Sequence, residues 1–211
     1  FDQVYLPLLR MGCKMATGSG KTVVMAMLIA WAFCNRARVP SDDRFPNAAL
    51  VCCPNLTIKE RLQVLRVDVR GDDYYTQFDV VPPQYRDLLR TGKVLVTNWH
   101  HFAPESEHSE GDRSFAVVQK GEETDEAFAR NRLGELFERA PIMVFNDEGH
   151  HAYRPAPIPE REARTVGAEV KREREAATVW VQGLDRIKKA CGITFCVDLS
   201  ATPFYIQGSG F

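Results

Sequence analysis

The chain has 211 residues, 45% of them hydrophobic, and a formal net charge of −1. This is enough to bury the core of one α/β domain but not of two, and the near-neutral charge excludes recruitment of nucleic acid by a basic field over the whole surface. The longest apolar run, Val23 to Cys34, is too short to cross a bilayer. The six cysteines contain no C-x-x-C pair and several lie in apolar runs, so we expect reduced thiols in a soluble, cytoplasmic protein.

The first motif is a glycine-rich loop from Met15 to Thr22 that ends in Gly-Lys-Thr. The segment before it, Arg10–Lys14, is the weakest predicted strand, and the apolar run after it predicts a helix over Lys21–Cys34. Loop glycines let backbone N–H groups surround phosphates, the lysine binds the β- and γ-phosphates, and the threonine hydroxyl is a ligand for Mg²⁺. The alternative is a turn that only caps a helix, and Met15 stands where glycine is usual. The predicted ATP-binding residues are Thr17, Gly18, Ser19, Gly20, Lys21 and Thr22.

Two apolar strands come next in the chain, Ala48–Cys53 and Val94–Thr97. A helix is predicted over Thr57–Val67, with Thr57 as its capping residue. The polar residues at the ends of these strands are Pro54, Asn55, Thr57, Thr97 and Asn98. By residue type alone they are typical of turns and helix caps.

Two charged segments interrupt the strand and helix pattern. Residues 104–126 are polar and acidic with little periodicity, which predicts a surface loop before a helix over Asp125–Arg139. Residues 155–189 begin with three prolines and continue with charges at helical spacing, which predicts a solvated helix over Glu160–Lys189. We expect this charged helical insertion to have no direct chemistry, with contact to DNA or a partner subunit as the alternative.

An acid pair follows the next predicted strand, Ile142–Asn146. Carboxylates at the end of such a strand lie at the edge of the sheet where ligands bind in open α/β folds. Asp147 is predicted to hold Mg²⁺ together with Thr22, and Glu148 to orient and deprotonate the attacking water. The predicted catalytic residues are therefore Lys21, Asp147 and Glu148. Taken alone, an apolar run that ends in two acids is as often a strand running into a polar loop.

The last motif is Asp198-Leu-Ser-Ala-Thr-Pro203, after a predicted strand over Ile193–Val197. Alone it is a strand that ends in a Ser/Thr turn. The order of phosphate loop, Asp-Glu-x-His and Ser-Ala-Thr nevertheless resembles the first motor domain of superfamily 2 helicases and translocases. Within that superfamily, the chain most resembles the restriction subunit of type III restriction–modification enzymes. The segments that carry the resemblance are Met15–Met25, Val94–Phe102, Asn146–Arg154 and Leu199–Tyr205.

The resemblance implies an α/β, three-layer RecA-like P-loop fold with a mainly parallel sheet, formed by one domain over residues 1–211 with insertions at about 104–126 and 155–189. It also implies ATP and Mg²⁺ as cofactors and DNA as a partner. In such motors, the residues that link the γ-phosphate to strand movement correspond to His150, Ser200 and Thr202. The residues that contact the nucleic-acid backbone correspond to Pro54, Asn55, Thr57, Thr97 and Asn98. Gly149 replaces the usual alanine, a change that we expect to loosen the backbone slightly.

The family's second motor domain and nuclease domain would follow the Ser-Ala-Thr motif, whereas the sequence ends at Phe211. Without the arginines of a second motor domain, we expect the chain to bind ATP better than it hydrolyses it. Its partners would then be the missing motor and nuclease domains and possibly a methyltransferase subunit. Two alternatives stay open: a fragment of a stand-alone DNA or RNA helicase or repair translocase, and a nucleotide-binding module without turnover. A P-loop kinase is less favoured.

Overall fold

One parallel sheet forms the centre of the molecule. The computed structural model describes residues 8–68, 73–103, 123–155 and 167–201. The strands are β1 (Arg10–Lys14), β2 (Ala48–Cys53), β3 (Lys93–Asn98), β4 (Ile142–Asp147) and β5 (Ile193–Ser200). They pair in parallel in the order β1-β5-β4-β2-β3. All five predicted strands are confirmed, including the weakest one, β1.

Helices connect the strands. They are α1 (Lys21–Arg38), α2 (Leu56–Leu62), α3 (Tyr74–Gln77), α4 (Arg86–Leu89), α5 (Asp125–Leu133) and α6 (Ala168–Cys191). Short 3₁₀ turns lie at Gln63–Leu65, Pro83–Tyr85, Trp99–Phe102, Gly134–Arg139 and Gly149–His151. The helices predicted over 57–67 and 125–139 are each an α-helix that tightens into a 3₁₀ turn. None of the helices in the described ranges combines the length and apolar character that crossing a bilayer requires.

The core has two apolar layers, one on each face of the sheet. Successive side chains of a strand point to opposite faces, so Met143 and Phe145 of β4 pack toward α1 while Ile142 and Val144 pack toward α6. The central strands β2 and β4 are buried by both layers, which is why they contain continuous apolar runs rather than an alternating pattern. The predicted α/β fold with helices on both faces of a parallel sheet is therefore confirmed.

The structure corrects the expectation for the second charged segment. Residues 168–173 of α6 are exposed as predicted, but from Ala177 onward the helix is amphipathic and buries Trp180, Leu184 and Ile187 against α5 and the sheet. The expectation of a solvated helix is therefore wrong for this half, which is the crossover between β4 and β5. Charges at the start of the helix obscured an apolar stripe with spacings of three and four. Residues 156–166 lie outside the described ranges.

The other predicted insertion lies mostly outside the described ranges, because these omit residues 104–122. Its last residues belong to the start of α5. There Thr124 caps the helix by accepting a hydrogen bond at Oγ1 from the backbone N–H of Ala127, at 3.2 Å. The helix therefore begins at Asp125, as predicted.

The described residues of the predicted motifs lie at one edge of the sheet. The carboxyl ends of parallel strands share an edge, so the loop after β1, Asn55 after β2, Asn98 of β3, Asp147 of β4 and Ser200 of β5 lie along one line. β5 lies between β1 and β4. This edge therefore has a β1-β5-β4 half and a β2-β3 half.

Candidate functional site

The phosphate loop joins β1 to α1 through two left-handed residues, Gly18 with φ 77° and Gly20 with φ 95°. Side chains disfavour this conformation, which explains the glycines. Ser19 donates to the carbonyl oxygen of Ala16 through both its hydroxyl (2.7 Å) and its backbone N–H (3.2 Å). Ser19, predicted to bind ATP, thus closes the turn. The first N–H groups of α1 have no acceptor within the helix and are the ones that can meet a phosphate.

Lys21 begins α1 and reaches the predicted acid pair. Its Nζ lies 3.1 Å from Oε1 of Glu148, a residue 127 positions further along the chain. Both side chains are largely buried, with 13% and 26% of their surface exposed, so this pair is screened less than a surface salt bridge. The structure thus brings together the motif near the start of the chain and the motif near residue 147.

Asp147 is the last residue of β4 and is buried at the foot of the site. Its Oδ1 is inaccessible and has no hydrogen-bond partner among the described residues. Burial raises the pKa of this carboxyl group, and the nearby Glu148 adds to the rise, whereas Lys21 and Arg61 oppose it. A buried carboxylate oxygen without a donor favours a cation, so Asp147 fits the hard oxygen-ligand chemistry of Mg²⁺.

Glu148 adopts a left-handed conformation with φ 50°, which is uncommon for a residue with a side chain. This turn starts the Gly149–His151 3₁₀ segment and allows the Glu148 carboxylate to face Lys21. Such strained backbone costs on the order of 1 kcal/mol or more and is typical of functional sites.

His150 connects the acid pair to the last strand. Its Nδ1 lies 2.8 Å from the hydroxyl oxygen of Ser200 and 3.5 Å from Oε2 of Glu148. Burial lowers the pKa of His150, and so do His151 and Lys21, while Glu148 opposes the change. The imidazole is therefore favoured in its neutral form, in which one ring nitrogen can accept a hydrogen bond. Thr202, the third predicted coupling residue, lies outside the described residues.

Close packing explains why residue 149 is a glycine, which the sequence did not reveal. A Cβ atom at this position would lie 2.7 Å from the Cβ of Asp198 and 3.1 Å from its Cα. Its φ is not positive, so backbone freedom is not what requires glycine here. The expectation that Gly149 loosens the backbone is therefore replaced by a close approach of the 3₁₀ turn to β5.

The backbone also ties the phosphate loop to β5. The N–H of Met15 donates to the carbonyl oxygen of Ser200 at 2.9 Å, one residue beyond the pairing of Lys14 with Ser200. Sequence reasoning missed this bond, because pairing between β1 and β5 depends on the strand order. Ser200 therefore contacts both the loop and His150.

The residues predicted to contact nucleic acid differ in their hydrogen bonds and in their exposure. The side chain of Asn55 accepts from the N–H of Ile58 at 2.9 Å and caps α2, so the prediction that Thr57 is the cap is wrong. Asn competes well with Thr as a cap, and the helix starts one residue earlier than expected. Thr97 and Asn98 are 5% and 8% exposed, which leaves them little surface for a ligand. Pro54 and Thr57 reach the surface.

Comparison with known proteins identifies one family. A family model described as type III restriction enzyme, res subunit, matches residues 9–205, which is nearly the whole chain. This family is an N-terminal domain family of superfamily 2 helicases. No curated protein and no solved structure was found to match the chain.

Proposed function

We propose that this chain, which belongs to the family of type III restriction enzyme res subunits, is the ATP-binding lobe of a DNA-dependent motor. A helicase-like ATPase is the general activity of the family. The observation that carries the proposal is the contact of 3.1 Å between Lys21 and Glu148. This contact between residues 127 positions apart supports a shared site in which Lys21 would bind the phosphates and Glu148 would activate water.

Each residue has a step in the proposed reaction. The N–H groups at the start of α1 bind the phosphates of ATP, and Lys21 moves from Glu148 toward the more negative triphosphate. Glu148 is then free to accept a proton from the attacking water. The water oxygen bonds to the γ-phosphorus, and the bond from phosphorus to the ADP oxygen breaks.

Mg²⁺ is the ion that this family generally uses with ATP. Thr22 and Asp147 would hold it, and the buried Oδ1 of Asp147, which no donor among the described residues satisfies, supports this assignment. The bound ion would neutralise the developing phosphate charge.

We also propose that the site responds to its nucleotide through His150. The Nδ1 atom of the imidazole lies 2.8 Å from the Ser200 hydroxyl oxygen and 3.5 Å from Oε2 of Glu148, so movement of the Glu148 carboxylate would alter the contact of His150 with the end of β5. Ser200 in turn bonds the phosphate loop through its carbonyl oxygen. These contacts, with Thr202 beyond them in the chain, would couple hydrolysis to movement.

Fast ATP turnover would need a second protein surface that covers the exposed side of the ATP site. Residues 16–19 of the phosphate loop are exposed, so water has access to one side of the site formed by the described residues. Motors of this type complete the site with cations from another lobe, which exclude water and stabilise the transition state. We propose that the chain alone binds ATP well and hydrolyses it slowly.

The proposed partner is DNA, contacted through the surface near Pro54, Asn55 and Thr57 at the β2-β3 half of the edge. The family suggests DNA interaction, and a nuclease domain and a methyltransferase subunit are proposed further partners. The second candidate function is a stand-alone helicase or repair translocase, and DNA-independent nucleotide binding is the third. Stimulation of ATPase activity by DNA would exclude the third, and cleavage of DNA by the assembled enzyme would select the first.

Thermal melting of the chain with Mg-ATP tests the nucleotide site. Ligand at a hundredfold excess over its Kd adds about 2.7 kcal/mol, which corresponds to a rise in Tm of roughly 5–11 °C for a chain of this length. A rise with ATP but none with AMP supports a site built for the β- and γ-phosphates. No rise with any nucleoside triphosphate would refute the proposal.

A further inference from the structure

A line of buried polar groups lies behind the acid pair, on the α6 face of the sheet. Its centre is Asn146, which has no exposed surface. The Asn146 Oδ1 accepts from the indole N–H of Trp180 at 2.9 Å, and its Nδ2 donates to Oδ1 of Asp198 at 2.7 Å. Oδ2 of Asp198 forms an ion pair with Nε of Arg10 at 2.8 Å. The line therefore crosses α6, β4, β5 and β1.

The chemistry of the two neighbours fixes the orientation of the Asn146 amide. An indole N–H can only donate, and an ionised carboxylate can only accept. The amide oxygen must therefore face Trp180 and the amide nitrogen must face Asp198. Trp180 is fully buried and Asp198 is 7% exposed, so an unpaired group here would lose its hydrogen bond without gaining water.

The line contacts the chain on both sides of the acid pair, just before Asp147 and just after Glu148. Asn146 immediately precedes Asp147 on β4, and its side chain points to the opposite face of the sheet. Gly149 immediately follows Glu148, and the lack of a side chain there allows the turn to rest on Asp198. Asp198 thus contacts the residue before the acids and the residue after them.

The polar line also connects the acids to the phosphate-loop strand. Arg10 and Asp198 lie on adjacent strands, since β1 pairs with β5 from Arg10 onward. Apolar residues in these positions would often stabilise the core as much as the buried ion pair does, so stability alone does not explain the polar groups. The contacts of the line instead fix the relative position of β1, which leads into the phosphate loop and Lys21, and β4, which carries Asp147.

We propose that Asn146 is a positioning residue which, together with Asp198, sets Asp147 at the distance from the phosphate loop that Mg-ATP requires. The proposal rests on the proposed ATP-binding function. It predicts that loss of the Asn146 contacts weakens the contribution of Mg²⁺ to ATP binding, rather than binding of the nucleotide itself. A residue that only stabilises the fold would lower Tm without changing this contribution.

The test compares Trp180→Phe with Trp31→Phe in the full chain. Phenylalanine keeps most of the ring packing of Trp180 but removes the N–H that binds Asn146. Trp31 undergoes the same substitution on the exposed face of α1, where its side chain is 51% exposed. The Kd for ATP is measured by titration with Mg²⁺ and again with EDTA, and Tm is measured for each variant.

For Trp180→Phe we expect the ratio of the Kd in EDTA to the Kd with Mg²⁺ to fall about fivefold, since one hydrogen bond of about 1 kcal/mol is lost. The Kd in EDTA itself should change by less than about twofold. Trp31→Phe leaves both values as in the original chain. An unchanged ratio in Trp180→Phe, even with a lower Tm, would overturn the positioning role. Failure of the original chain to bind ATP more tightly with Mg²⁺ would instead overturn the proposed function, and this inference with it.

Asn146→Ala provides a second measure through a double-mutant cycle with Trp180→Phe. If both act through the one hydrogen bond, the double variant reduces the Mg²⁺ contribution no further than Asn146→Ala alone. Additive reductions would contradict the proposal, because the two residues would then act independently. If Asn146→Ala does not fold, the result for Trp180→Phe still decides.

Discussion

The two halves of the carboxyl edge of the sheet use their polar side chains differently. In the β1-β5-β4 half, Lys21 contacts Glu148 and His150 contacts Ser200, partners that are 127 and 50 residues apart. In the β2-β3 half, Asn55 bonds a residue three positions away, and the Thr97 hydroxyl bonds the adjacent carbonyl at 3.5 Å. Contacts between distant residues are not needed to form a turn, whereas local ones are its usual chemistry. The comparison supports an ATP site in the first half and gives less support to a ligand site in the second.

The largest expected effect comes from the lysine of the first half. Lys21→Ala should abolish the rise in Tm with Mg-ATP, which is roughly 5–11 °C in the original chain, because the cation for the β- and γ-phosphates is lost. Lys171→Ala, an exposed lysine of α6, is the matched control and should keep the full rise. A Lys21→Ala variant that retains the rise would show that ATP binding does not depend on Lys21 or on its contact with Glu148.

Glu148→Gln should keep the Tm rise with Mg-ATP and lower ATP turnover by about a hundredfold or more, since the amide cannot accept the proton of the attacking water. Phosphate release in single-turnover experiments measures the effect. Glu175→Gln, on the exposed start of α6, should change neither quantity. Equal loss of binding and turnover would mean that Glu148 holds Lys21 in place but does not act as the base.

Gly149→Ala tests the packing of the acid-bearing turn against β5. The added Cβ would lie 2.7 Å from the Cβ of Asp198, and relieving this overlap should cost about 1–3 kcal/mol of unfolding free energy. Denaturant unfolding should show this loss, together with weaker Mg-ATP binding. Gly167→Ala is the control, because no described atom lies within 4 Å of the added Cβ there. Gly149→Ala at full stability would show that the turn can shift without cost.

The smallest effects are expected in the β2-β3 half. Asn55→Ala should cost about 1 kcal/mol through loss of the α2 cap, or roughly 2–4 °C in Tm, whereas Thr57→Ala should leave Tm unchanged. Neither should alter the Kd for ATP. If Thr57→Ala reduces the stimulation of ATPase by DNA while Tm is unchanged, the β2-β3 half contacts nucleic acid. Both halves would then bind a ligand, ATP in the first half and DNA in the second.

Local sequence patterns predicted β2 and β4 because these strands are buried on both faces and contain continuous apolar runs. Even the short Arg10–Lys14 strand was recognised, because a phosphate loop needs a strand before it. The same approach failed for the second half of α6, where charged residues between the buried positions dominate the composition. It also chose Thr57 over Asn55 as the cap, because two suitable caps lie two residues apart and their sequence does not rank them.

The sequence by itself determined the phosphate loop, the acid pair, the parallel α/β class and the family, since each of these is written in neighbouring residues and in the order of motifs. Only the tertiary structure decided that Glu148 rather than Asp147 contacts Lys21, that Asp198 lies against Gly149, and that Asn146 joins Trp180 to Asp198. These contacts depend on β5 lying between β1 and β4 and on the face to which each side chain points. Periodicity along one segment does not report strand order, because strand order is set by the pairing of residues far apart in the chain, such as Ala48 with Lys93 and Arg10 with Cys196.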